Sequence, residues 1–292
     1  MQYNFDDIKY LQSEPLSKHT TFRIGGPAKY FFMPKNSDEI KYIINYCKEN
    51  NERYLILGNG SNVLVADEGF DGCLIQIYNN MNSITVDGEY IYAQAGALLS
   101  KVANIARDNS LTGMEFAAGI PGTIGGAIVM NAGAYGGEMK DIVEYVDILE
   151  DDGEIKRYAC KDMQFEYRKS IVDSNKVVLG VMLKLNTGNI DLINERMDEL
   201  KNARISKQPL EYPSAGSTFK RPKGYFAAKL IDDCGLRGYR VGGAMVSEKH
   251  CGFVINFDNA TAKDVMQLMD DIKEQVNKRF GIIIEPEVKI IR

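Results

Sequence analysis

Apolar positions recur along this chain in two registers, one helical and one strand-like. Ile40, Ile43, Ile44 and Cys47 fall on one helical face behind Ser37, Asp38 and Glu39, which predicts a helix from Ser37, a residue able to cap it, to about Asn50. Leu98, Val102, Ile105 and Ala106 mark a second amphipathic helix. Further helices are predicted over 191–207 before Pro209, over 226–234 before Gly235, and over 261–280 before Gly281. Between them run short apolar stretches of strand character at Tyr54–Leu57, Val63–Val65, 73–77, 83–86, 90–95, Val143–Leu149, 154–158, 177–185 and 252–256, and 282–291 closes the chain as one or two strands. Asp87-Gly88 and Asp152-Gly153 read as hairpin turns.

The order of these elements gives an α+β protein with several sheets, without an internal repeat, a heptad seam or a low-complexity tract. At 292 residues the chain exceeds the usual size of one hydrophobic core, so two or three domains are expected, with interfaces where a ligand can lie.

Composition narrows the choice of partners. Hydrophobic residues make up 45% of the chain and charged residues 26%, ordinary for a protein folded throughout. The net charge of -5 is spread over interleaved acids and bases, so no basic stripe for nucleic acid is present. Residues 1–7 carry no basic segment followed by an apolar run, and no stretch approaches about 18 apolar residues, so neither export nor membrane insertion is expected. Five scattered cysteines without a CxxC spacing and only two histidines suggest neither a disulfide framework nor a metal site, and free thiols fit a reducing cytoplasm.

Glycine carries the first chemical signal. Gly58-Asn59-Gly60-Ser61-Asn62 lies between two strand-like pieces and offers backbone N–H groups, a hydroxyl and amides suited to a pyrophosphate, although a tight turn uses the same residues. Glycines crowd again between 117 and 137, where Pro121-Gly122-Thr123-Ile124-Gly125-Gly126-Ala127 allows a close backbone approach to a flat ligand or to the protein itself. Two such loops suggest a dinucleotide. Neither is a GxxxxGK[ST] loop, and Gly58-Asn59-Gly60 lacks the third glycine and following helix of a Rossmann fingerprint, so the dinucleotide must be held in another way.

In this order Thr20-Thr21-Phe22-Arg23-Ile24-Gly25-Gly26-Pro27-Ala28, the Gly58 loop, the Pro121 loop, Tyr167-Arg168-Lys169-Ser170, Ala215-Gly216-Ser217-Thr218-Phe219-Lys220-Arg221-Pro222 and Glu285-Pro286-Glu287-Val288 cover almost the whole chain. Together they resemble the UDP-N-acetylenolpyruvoylglucosamine reductases (MurB), FAD enzymes related to vanillyl-alcohol oxidase. The resemblance implies a three-domain α+β fold: a PCMH-type FAD domain and a MurB C-terminal α+β substrate domain. The expected divisions are 1–78, joined by a returning strand at about 282–292, then 79–190 for FAD and 191–281 for a UDP-sugar. Pro27 stands where some relatives attach FAD through histidine, so a non-covalent flavin is expected, with NADPH as co-substrate. No long tyrosine-bearing insertion lies between 177 and 213, which implies the shorter subtype.

The resemblance also assigns roles. FAD is expected at Gly58, Asn59, Gly60, Ser61, Asn62, Pro121, Gly122, Thr123, Gly125, Gly126 and Ala127. Hydride transfer to an enol ether requires a cation for the charge developing beside the substrate carboxylate and a proton for the adjacent carbon. Arg168 matches the cation, Ser217 the proton donor, and Glu287 the third catalytic residue, beside the alternative Glu285. Lys220, Arg221 and His250 are expected at the UDP-sugar. Taken without the resemblance, the same residues also read as a surface arginine, a simple turn serine, an exposed strand carboxylate and a loop histidine. Two other functions share these motifs in part: a flavin-dependent oxidase of another small alcohol or sugar, and a non-catalytic flavin-binding module.

Overall fold

The computed structural model describes residues 8–292, so the reading of residues 1–7 falls outside it. The chain forms two compact units, one built from residues up to Leu11 with Tyr30–Asn59 and Gly72–Arg204, the other from Gln12–Lys29, Gly60–Asp71 and Ile205–Arg292.

The first unit grows from a single apolar core. Its first helix, α1 (Ser37–Glu49), is capped one residue earlier than the sequence suggests, by the Asn36 side chain accepting the Glu39 N–H. That helix buries Ile40, Ile43, Ile44 and Cys47 in the core shared with Cys73 and Ile75. Tyr54–Leu57 pairs in parallel with Phe70–Gln76, from Tyr54 against Cys73 to Leu57 against Gln76, at one edge of a four-stranded sheet. A second, antiparallel sheet orders Ile155–Ala159, Val143–Leu149, Val177–Lys184, Tyr90–Gln94 and Ile84–Asp87. Its middle strand, Val177–Lys184, is buried over most of its length, as expected for a strand covered on both faces. Helices α2 (Leu99–Asp108) and α3 (Ile124–Val129) contribute Leu99, Val102, Ile124 and Ile128 to the same core. Helix α4 (Ile190–Lys207) gathers no single apolar face: it buries Ile193 and Leu200 and leaves Ile190, Leu192 and Ile205 exposed.

The second unit has its own core around α5 (Ala227–Asp233) and α6 (Ala262–Phe280). Helix α6 starts on a capping box between Thr261 and Asp264, with the Ala262 and Lys263 N–H groups also received by Asp67, and ends at Gly281 in the left-handed conformation. Its Val265, Leu268, Met269, Ile272 and Val276 make the buried stripe. An antiparallel sheet joins Arg240–Val241, Ala244–Val246 and Val254–Asn256, and the final strand, Lys289–Ile291, pairs in parallel with Val63–Val65.

Candidate active site

In the first unit the two glycine loops touch. The Asn59 side chain donates to the Pro121 carbonyl at 2.5 Å, and the Gly58 carbonyl is held by Gln76 at 3.2 Å. A Cβ on Gly58 would lie 2.4 Å from the Thr123 Oγ1, so the close approach there is between protein segments. Gly125, Gly126 and Ala127 sit on α3, which Thr123 caps by accepting the Gly126 N–H, and not in the extended loop their composition suggests. Gly122 and Ile124 are bonded to the segment 97–99, and Gly125 to Ala95. Among the described residues, however, the N–H groups of Asn59, Gly122 and Thr123 donate to no protein acceptor. At Asn59 and Gly122, both partly exposed in small-residue loops, such unused backbone donors fit a dinucleotide pyrophosphate.

Gly58→Ala is therefore expected to cost about 1–3 kcal/mol through overpacking and to lower the flavin retained on purification. Thermal unfolding with and without added FAD measures both, and unchanged flavin content would contradict the reading.

Arg168 also lies in the first unit, on a tight reversal where Glu166 and Lys169 exchange both backbone hydrogen bonds. Its φ of 58° is left-handed, which costs a non-glycine residue roughly 1–2 kcal/mol, so the surroundings must hold it there. The guanidinium donates to the Gly133 carbonyl at 3.3 Å and lies 5.2 Å from the Tyr167 ring centre. Ser170 ties the following segment to the Val129 carbonyl at 3.1 Å.

Ser217 and Glu287 belong to the second unit, on segments that form one ladder. Lys220 donates to the Glu285 carbonyl and Glu287 to the Thr218 carbonyl, both at 2.8 Å, flanking the bridge between Phe219 and Pro286. The proline fits because its position in this ladder needs no N–H. Thr218, 1% exposed, fastens the other side, donating its N–H to the Gly252 carbonyl and accepting that of Val254 on its hydroxyl. Ser217 is exposed between buried Ala215 and Thr218, on a turn set by Gly216 at φ 76°. A side chain at 216 has space but would be strained by that φ. Asn62, at the end of the Gly58 loop, donates to the Glu287 carbonyl at 3.2 Å and accepts from Lys289 at 3.0 Å. Gly60, in the same loop, packs against His19 and Thr20, and Ser61 stands between Gly60 and Asn62 in this unit.

The two candidate carboxylates differ in environment. Glu285 is 70% exposed and ion-paired with Lys220 at 3.1 Å, whereas Glu287 is half-buried with its backbone fixed by Thr218 and Asn62. Arg221 stacks 4.4 Å from the Phe226 ring centre.

His250 accepts the Gly252 N–H on Nδ1 at 3.1 Å, which leaves its proton on Nε2 as a donor. Burial, aided by the charge of Arg237, lowers its pKa below the ordinary 6.5. The unfolded chain then binds this proton more readily than the folded one, so stability should fall as pH drops below 6.5. Denaturant unfolding across pH should show a shallower acid slope in His250→Gln; equal slopes would contradict it.

Sequence reasoning missed two polar residues beneath these sites. One is Thr218, and the other is Asn131, 1% exposed, bonded to both Glu138 and the Glu166 carbonyl of the Arg168 turn. Neither residue type nor spacing sets them apart in the sequence. Among the described residues no cluster able to hold a metal ion is present, and no helix is long and apolar enough to cross a membrane.

Comparison with known proteins supplies the remaining observations. Residues 208–291 match the family model for the C-terminal domain of UDP-N-acetylenolpyruvoylglucosamine reductase, and residues 28–159 match an FAD-binding domain. The UDP-N-acetylenolpyruvoylglucosamine reductase of Caldanaerobacter subterraneus subsp. tengcongensis is 49% identical over 97% of this chain and 94% of its own length. That of Clostridioides difficile is 49% identical over 98% and 94%. The crystal structure of UDP-N-acetylenolpyruvylglucosamine reductase (MurB) from Thermus caldophilus superposes with a TM-score of 0.84 and 35% identity, covering 98% of this chain and 99% of that one. A cholesterol oxidase from B. sterolicum, with a TM-score of 0.50 and 14% identity over 64% of this chain and 39% of that one, shares the fold alone.

Proposed function

The chain belongs to the family of UDP-N-acetylenolpyruvoylglucosamine reductases, and on that premise we propose that it reduces the enolpyruvyl ether of UDP-N-acetylglucosamine enolpyruvate to UDP-N-acetylmuramate, with FAD as cofactor and NADPH as reductant, for peptidoglycan precursor synthesis. The loops at 58–62 and 121–127 would hold the flavin. The chemistry FAD supplies when bound is hydride transfer, from NADPH to the terminal carbon of the enol ether.

The chain's own residues supply the rest. Arg168 meets the substrate carboxylate in a forked contact and stabilises the negative charge that develops beside it. Ser217 delivers the proton to the adjacent carbon. A serine hydroxyl is a weak acid, so this role demands a fixed direction, for which the Gly216 turn and buried Thr218 provide the support. Glu287 hydrogen-bonds near the reacting enol and assists the proton's delivery. The observation that carries this reading is the ladder between 218–220 and 285–287, which sets the Ser217 turn beside Glu287 and leaves Glu285 exposed beside Lys220. Arg221, His250 and Lys220 serve the UDP-sugar, Lys220 by exchanging its surface carboxylate for phosphate. Five free cysteines suit a cytoplasmic setting, and the partners are small molecules.

Turnover in heavy water tests the reaction. NADPH oxidation should require the enolpyruvyl substrate and proceed without oxygen, and the product should carry one deuterium from solvent on the protonated carbon. NADPH oxidation that needs oxygen and ignores the substrate would mark an oxidase.

A further inference from the structure

We propose that Asn131 is the positioning residue of Arg168, fixing from beneath the turn that carries the guanidinium. The inference rests on the role assigned to Arg168 above.

Asn131 follows Met130, the C-cap of α3, is 1% exposed and sits at φ 39°. Its Nδ2 donates twice, to the Glu138 carboxylate at 2.6 Å and to the Glu166 carbonyl at 3.2 Å, and its Oδ1 accepts the Lys140 N–H at 3.0 Å. The amide has one workable orientation, because the flipped form would set its oxygen against a carboxylate and a carbonyl. Glu138 is in turn ion-paired with Lys140 at 2.5 Å, so the first of these bonds is charge-assisted.

Glu166 opens the reversal in which Arg168 is left-handed, and the guanidinium donates to Gly133, two residues beyond Asn131. Backbone and side chain of the arginine therefore both refer to the segment 131–138. A strained residue keeps its conformation only where neighbours over-determine it, and the Asn131 bond to Glu166 is a buried tie reaching that turn from outside it. A plainer role for Asn131 is to pin the hairpin of Gly133–Ala134 and Gly137–Glu138 through Glu138 alone. The two roles use different bonds of one side chain and can be separated.

Asn131→Asp removes both donors and opposes two carboxylates. Adding Glu138→Gln restores a donor between 131 and 138 but leaves the Glu166 carbonyl without the bond from position 131, keeping only that from Lys169. Asp accepts the left-handed φ as Asn does. The double variant should recover part of the thermal midpoint that Asn131→Asp loses, be reduced by NADPH at the wild-type rate, and remain on the order of 10–100-fold slow in reoxidation by the enolpyruvyl substrate, as expected for a misplaced catalytic group. Glu138→Gln alone, which keeps the Asn131 bond to Glu166, should reoxidise like wild type. In an Arg168→Lys background the substitutions at 131 should cost little more, because coupled residues are not additive. Wild-type reoxidation in the double variant, equal slowing by Glu138→Gln alone, or the same cost in both backgrounds would overturn the proposal. If Arg168→Lys itself leaves reoxidation intact, the role of Arg168 fails first and this inference falls with it.

Discussion

Ser217→Ala should slow reoxidation of the reduced protein by the enolpyruvyl substrate by about 10²–10⁴-fold, the range of a positioned general acid, while reduction by NADPH keeps its wild-type rate. Only the second half-reaction consumes a proton at carbon. The substitution removes one exposed hydroxyl and leaves the supports of the turn in place, namely Gly216 at φ 76° and the Thr218 bonds to Gly252 and Val254. The fold should therefore be unaffected, and rapid-mixing absorbance of the two half-reactions measures the split. Equal slowing of both would remove Ser217 from proton delivery.

Arg168→Lys should lower kcat by about 10²–10³-fold, the cost of losing one well-placed donor to developing charge. Lysine keeps the positive charge but cannot make the forked contact with a carboxylate. It pays the same conformational cost at φ 58°, so the thermal midpoint should barely move. Steady-state kinetics beside thermal unfolding distinguishes the outcomes. Retained kcat would mean that charge alone suffices at this position, and a large fall in stability would recast Arg168 as structural.

Much of the fold was legible because its signals are local. Helix α6 announces itself through its apolar stripe and Gly281, and the structure runs from Ala262 to Phe280 against the 261–280 expected, with Thr261 as its cap. The strands Tyr54–Leu57, Val63–Val65 and Val143–Leu149 coincide with their apolar runs. Helix α3 escaped because Gly125 and Gly126 argue against a helix, and its existence depends on the Thr123 cap and on bonds to Ala95 and Ala97 that no local pattern reveals. The cap of α1 moved from Ser37 to Asn36 because either residue type can accept the N3 N–H.

The candidate site was legible only through its order of motifs. No spacing rule links Ser217 to Glu287, and their association depends on a short ladder around a proline. The difference between Glu285, exposed and paired with Lys220, and Glu287, half-buried, is likewise invisible in the sequence. Asn131 was hidden inside a glycine-rich stretch whose small residues drew attention to the flavin instead. Its three hydrogen bonds join parts of the chain separated by up to 35 positions.

The most direct test of the whole account is an anaerobic titration. Protein reduced by NADPH is mixed with UDP-N-acetylglucosamine enolpyruvate, and the flavin spectrum is followed. Return of the oxidised spectrum, with one UDP-N-acetylmuramate formed per flavin, is the predicted result. A flavin that stays reduced until oxygen is admitted would contradict it.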